Sequence, residues 1–337
     1  MKRLIIYFIA VILCFSSFSS NLLFLSKANA EGAPILLGFK PNDTALNPNR
    51  PIVYMTKIGS KTLYAVNYET GVKTTLSLPY PAERLDLFNG KLYVTQHKMS
   101  HDRYNFGPYS GGIAEVDTET FTLSNLIDVE IDPYDVVIDK QGYIFISPGS
   151  GQREKIKVYS IYDQTEKTAS TTNISSESYL YYNEEMSKVY SISTKVSPRD
   201  VTAHEVRDGA VISQYDSPYH GAYDLEPFAK VSPDGENMYN NSGVVFGLSQ
   251  ISSGDMLYNF ELGREYKDFA FSLVDDLAFG ANVDGGIDVY RYNSDEYLYS
   301  IKTDKDIENL HYHNGGLVSV FNESGKILFR VYKRLQS

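Results

Sequence analysis

Three aspartates stand in closely similar settings, Pro-Tyr-Asp135-Val, Ala-Tyr-Asp224-Leu and Tyr-Lys-Asp268-Phe, each at the entry to an apolar run. Asp43, Arg84, Ser178 and Asn309 occupy corresponding positions before other such runs. Brought together, these side chains would form a ring carrying carboxylates and one guanidinium. Ca2+ takes carboxylate and carbonyl oxygens in flexible geometry, so Asp43, Asp135, Asp224, Asp268 and Asn309 are candidate ligands for that ion. The competing chemistry is local: an aspartate where strands crowd together accepts hydrogen bonds from backbone amides, with Arg84 neutralising part of the charge. No Asp-x-Asp-x-Asp loop occurs in the chain, so the calcium reading depends on convergence in space.

A second group of candidates lies in the polar, aromatic-rich stretch from Thr95 to Gly112, which carries His97, His101, Arg103, Tyr104 and Tyr109. A loop of this length is uncommon inside a compact domain unless it binds something. Arg153 in Ser-Pro-Gly-Ser-Gly-Gln-Arg, His220 in Ser-Pro-Tyr-His-Gly, and the nearby Tyr223 join it as candidate binding residues. His97 and His101 are four apart, a metal spacing on a helix, and nothing makes this segment helical. His311 and His313 alternate on one expected strand and would face the same side. Acidic or histidine side chains at such a site could act as general acid or base, but no motif names a general base. Nucleophile elbows, dinucleotide glycines and phosphate loops are absent from the sequence.

The elements that would position these groups form a repeat. Ile52-Val-Tyr-Met-Thr, Leu92-Tyr-Val-Thr, Ile144-Phe-Ile-Ser, Val189-Tyr-Ser-Ile, Met238-Tyr-Asn-Asn, Leu277-Ala-Phe-Gly and Leu317-Val-Ser-Val recur at intervals of about 40 to 50 residues. Hairpin turns follow at Glu69-Thr-Gly71, Asp117-Thr-Glu119, Asp163-Gln-Thr165, Arg207-Asp-Gly209, Ser252-Ser-Gly254 and Asn293-Ser-Asp295. Short strands at that period predict an all-β, seven-bladed β-propeller with four antiparallel strands per blade. The blades are expected at 43–79, 83–129, 134–174, 178–216, 223–262, 267–302 and 308–333. The last repeat runs out of sequence after three strands, and Pro34–Phe39 is an orphan strand; pairing the two closes the ring and removes both edges.

Val231-Ser-Pro-Asp-Gly-Glu-Asn-Met-Tyr239 and Ile138-Asp-Lys-Gln-Gly-Tyr-Ile-Phe145 resemble the innermost hairpin of the YVTN and lactonase-like propellers. The resemblance implies the fold across the whole of 31–337 and almost nothing about activity, because propellers host many functions. The chain has no Trp and no Gly-His to Trp-Asp pairing, which speaks against the WD-repeat type.

The N-terminal segment reads as a secretory leader over 1–30: Lys2 and Arg3, an apolar stretch from Leu4 to Leu25, and Ala28-Asn29-Ala30 before a cleavage point. The alternative is an anchor that stays attached, since the stretch is long enough to span a bilayer. The single cysteine, Cys14, lies within it behind Leu13, a poor context for lipidation, so thiols and disulfides play no part in 31–337. Loss of the leader leaves 28 basic residues against 42 acidic ones, a net charge of about −14. That field opposes binding to nucleic acid or anionic lipid. The expectation is a secreted or envelope-associated protein with no integral span after cleavage. It would bind a protein, glycan or cationic ligand on the loop-rich channel face. A lactonase-like or lyase-like enzyme and a structural envelope protein are the alternatives.

Overall fold

The computed structural model describes residues 29–167, 173–303 and 306–333, so the expected leader falls almost wholly outside the described residues. Seven blades of antiparallel strands surround a central channel, and the fold is an all-β, seven-bladed propeller. The innermost strands are Thr44–Leu46, Ala82–Phe88, Pro133–Ile138, Ser178–Asn183, Ala229–Val231, Tyr266–Ser272 and Asp306–His313. Among the described residues no helix is long and apolar enough to cross a membrane.

Each sheet is buried on both faces, which explains why second and third strands read as continuous apolar runs rather than alternating ones. Lys91–His97 and Gly111–Asp117 are buried along nearly their whole length. The core is accordingly divided into clusters that each lie between two consecutive blades. Val53, Met55 and Tyr68 of the first blade, for example, pack against Val318, Val320 and Phe329 of the last. Hairpins set the register: Asn89-Gly90 and Asn314-Gly315 both lie at positive φ, the geometry a two-residue turn needs to match strand twist.

The ring closes by the N-terminal strand, which completes the last blade. Asn29–Leu36 pairs antiparallel with Lys326–Lys333, with Ile35 opposite Phe329 and Leu36 opposite Leu328. The strand begins earlier than the expected 34–39 and ends at Leu36, because Gly38 adopts a positive φ and turns the chain away. The amide of Leu37 still reaches the carbonyl of Ile327 at 2.9 Å.

Two expectations need correction. The third blade is not a continuous four-stranded sheet: Pro133–Ile138, Tyr143–Pro148 and Lys157–Ser160 form three strands, and Arg153–Lys155 pairs separately with Asn173–Ser175. The run Pro148-Gly-Ser-Gly151, with Gly151 at positive φ, breaks the ladder there. The fifth blade starts at Ala229 rather than at 223. Pro227 has no amide to donate to a ladder, and the Asn240 carboxamide holds Glu226 and Phe228 in a loop through hydrogen bonds of 2.7 to 3.0 Å.

Removing 33–39 should lower the unfolding free energy by several kcal/mol, since a strand's packing and pairing are lost together. Leu37, only 7% exposed in the cluster that joins the last blade to the first, should cost roughly 2–5 kcal/mol on replacement by Ala. Urea unfolding of both variants checks this; a truncated protein as stable as the intact one would refute the closure.

Candidate functional site

The innermost strands enclose a cavity of about 1490 Å3 to which all seven blades contribute. Of the expected ring residues, Asp43, Arg84, Asp135, Asp268 and Asn309 line it. Ser178 does not; its hydroxyl turns to the carbonyl of Ser175, and Tyr179 takes the lining position. Asp224 is exposed outside the cavity, because the strand it was expected to open begins five residues later.

What the lining aspartates do is clear from their partners. Asp43 accepts the amide of Thr44 at 2.9 Å and that of Leu85 on the next blade at 2.9 Å. Asp135 accepts Val136 at 2.9 Å and Leu180 on the next blade at 2.8 Å. Asp268 does the same with Phe269 and Leu310, both at 2.8 Å. Asp86, absent from the expected ring, accepts Leu87 and Ile138, both at 2.8 Å. Each carboxylate thus clasps its own strand to the following blade with both oxygens.

Two cations share the load. Arg84 lies 3.4 Å from both Asp43 and Asp135 and stacks 4.5 Å over the Tyr179 ring. Lys230 of the fifth blade reaches Asp268 of the sixth at 3.0 Å and the Phe269 carbonyl at 2.6 Å. Burial pushes the Asp43 carboxyl up to about 6 and the Asp86 carboxyl to about 7, against the amides that favour their charged forms. Burial alone would lower the Arg84 pKa, but Asp43 and Asp135 overcome it and hold the guanidinium above its ordinary range. His311 also lines the cavity, bonded to the Thr44 hydroxyl at 3.0 Å; burial, with Lys230 nearby, depresses it to about 4.

An aromatic arc runs along one side of this ring. Tyr134 and Tyr179 are 5.5 Å apart, and Tyr179 stacks on Phe228 at 4.5 Å and 26°. Phe228 is 42% exposed, a large apolar ring open at the channel.

The long loop lies where inner strands begin and second strands end, beside this arc. His97 and His101 are brought together, with ring centroids 5.4 Å apart, although the segment is not helical: His97 ends one strand and the loop folds His101 back over it. His101 bonds Asp132 at 2.8 Å and Glu83 at 2.6 Å. Burial would lower its pKa, yet these two carboxylates raise it to about 10. Among the described residues, Glu83, His97 and His101 place three potential metal-ligand atoms within 4.8 Å of one another. The channel aspartates are not gathered in this way.

The remaining candidates are scattered. Tyr104 is 71% exposed with Arg103 5.6 Å over its ring, whereas the Tyr109 hydroxyl is tied to the Asn105 carbonyl and to Glu154. Arg153 is exposed on the short paired segment of the third blade. The His220 side chain is 84% exposed and bonded to Asp200 at 2.9 Å, and Tyr223 stacks on Tyr258 at 5.5 Å in a packing cluster far along the chain from the long loop. Sequence reasoning missed Asp86, Glu83, Asp132, Lys230 and Phe228. Only Asp86 carried a usable signal, two residues after Arg84 on the same strand.

No protein-family model matches the chain, and no curated protein is detectably similar in sequence.

Asp135→Ala should destabilise the protein by about 3–5 kcal/mol, because two amides lose their acceptor and Arg84 loses one of its two carboxylates. Asp224→Ala should stay within about 0.5 kcal/mol. Equilibrium unfolding distinguishes them, and equal costs would refute the clasp. The raised Asp43 and Asp86 carboxyls also set a pH dependence. Between about pH 4 and pH 7 the folded chain holds protons that the unfolded chain has released, so their stabilisation is complete below the lower value and lost as pH rises through the upper. The melting temperature should therefore fall over that window, and Asp86→Asn should flatten the fall.

Proposed function

We propose that this is an exported propeller that binds carbohydrate on its channel face. The observation that carries the reading is the wide cavity bordered by the stacked Tyr179 and Phe228 rings and by closely paired charges of both signs. Sugar rings pack their C–H faces on aromatic rings and satisfy their hydroxyls with charged groups, and Arg84, Lys230, Glu226 and Glu308 line this space besides the clasping aspartates. At about 1490 Å3 the cavity is wider than the usual enclosure for a single small molecule, which suits the end or a loop of a longer chain. Binding rather than turnover is favoured because Asp43, Asp86, Asp135 and Asp268 spend their oxygens holding the blades together.

Export is supported by the basic start, apolar run and Ala28-Asn29-Ala30 of the leader. Kinship with the YVTN and lactonase-like propellers is supported by the Ser232-Pro-Asp-Gly235 turn. There the Ser232 hydroxyl bonds Asp234 at 2.6 Å, and the Gly235 carbonyl accepts the Asn183 side chain of the preceding blade at 2.8 Å.

A glycan array that includes cell-envelope polysaccharides tests the reading. Phe228→Ala should weaken capture of the retained glycan about tenfold, the worth of one aromatic stack, without lowering the melting temperature. Retention of no glycan by the intact protein, or equal retention by the variant, would overturn the channel assignment. Turnover of a lactone by the purified chain would favour the enzyme alternative instead.

A further inference from the structure

A separate constellation lies off the channel, at the junction of the second and third blades. Glu83 is the second residue of one inner strand, His97 the last residue of the adjoining strand, and Asp132 directly precedes the next blade's inner strand. His101 comes down from the long loop among them. Its Nδ1 meets Asp132 Oδ2 at 2.8 Å, and that oxygen also accepts the Ser150 hydroxyl at 2.5 Å. Its Nε2 lies 2.6 Å from Glu83 Oε2, so one ring bridges both carboxylates.

Glu83 is 6% exposed and Asp132 only 1%, and Asp132 Oδ1 has no hydrogen-bond partner. Nε2 of His97 is likewise buried without a partner. Two buried carboxylates therefore rest on one imidazole ring, and a divalent cation would balance them where a single proton leaves one charge over. The ring's place is fixed from behind: a Cβ on Gly149 would lie 2.3 Å from His101 Nδ1, so only glycine leaves room for it.

We propose that Glu83, His97 and His101 bind a divalent transition-metal ion of the zinc type, with Asp132 orienting His101 from the second layer. Two imidazoles and one carboxylate are a nitrogen-rich donor set that selects zinc-like ions over calcium. A carboxylate on the far nitrogen of a ligating histidine is the usual way such a ring is held. The donor atoms already lie within 4.8 Å of one another, and tetrahedral zinc asks for roughly 3.3 Å, a closure within reach of side-chain rotation. A bound ion would tie the Thr95–Gly112 loop to both blades, and three protein ligands would leave a position for an incoming group.

The experiment uses the tag-free chain, freed of metal by chelation and titrated calorimetrically with ZnCl2 and, in parallel, CoCl2 and CaCl2. One zinc per chain should bind with a rise in melting temperature, cobalt should give the visible absorption of a tetrahedral site, and calcium should do neither. His97→Ala should weaken zinc binding at least tenfold while leaving the metal-free melting temperature nearly unchanged, because His97 Nε2 bonds nothing in the protein. Asp132→Asn should weaken it about 10- to 100-fold. Absence of saturable one-to-one zinc binding, or binding that survives unchanged in both His97→Ala and Glu83→Gln, would overturn the site. Because His97→Ala is not expected to unfold the chain, the result stands even if Glu83→Gln fails to fold.

Discussion

Every blade in this protein is a thin sheet with two apolar faces, and that constraint governs the rest. A sheet buried on both sides needs a neighbour on both sides, so no blade can be terminal. The only arrangement that satisfies all seven is a closed ring, which explains why the chain carries a strand at its start to complete a blade at its end. The cores between blades are built alike, from the second and third strands of one blade and the inner strands of the next. The channel is what remains at the centre once seven wedges have met.

Apolar packing alone does not fix the angle or register of one wedge on the next, and polar links do so at the hub. Aspartates clasp blade one to two, two to three, three to four and six to seven. Between blades four and five the link lies off the channel: buried Lys188 and Asp255 are 2.9 Å apart with Tyr190 and Tyr215 around them. Lys230 and Asp268 join five and six, and Thr44 and His311 join the last blade to the first. Each of these carboxylates accepts one amide on each of its oxygens. The acidic ring thus serves assembly, with the aromatic rings at the channel and the His101 cluster beside it.

That cluster exists because a loop and two strand ends converge between two blades. Glu83 adjoins Arg84 in sequence, but the two face different surroundings, Arg84 toward Asp43 and Asp135 in the channel and Glu83 toward His101. The alternation of a strand thus lets one inner strand serve the hub and the junction at once.

The sequence by itself determined the all-β class, the number of blades, the need for a closing strand and the positions of most hairpin turns. These follow from local patterning: apolar runs at a constant interval, and Asn-Gly or Asp-Gly pairs where the chain must reverse. It also placed Asp43, Arg84, Asp135 and Asp268 correctly at the hub, since they sit at a fixed offset from the apolar anchors. Tertiary structure alone decided what those groups do, because the partner of each aspartate is an amide about 40 residues away on another blade. It decided that Asp224 lies outside, through a proline and an asparagine that delay a strand. It also decided that His97 and His101 meet Glu83 and Asp132, residues that no spacing rule connects, because their proximity comes from the docking of one wedge against the next.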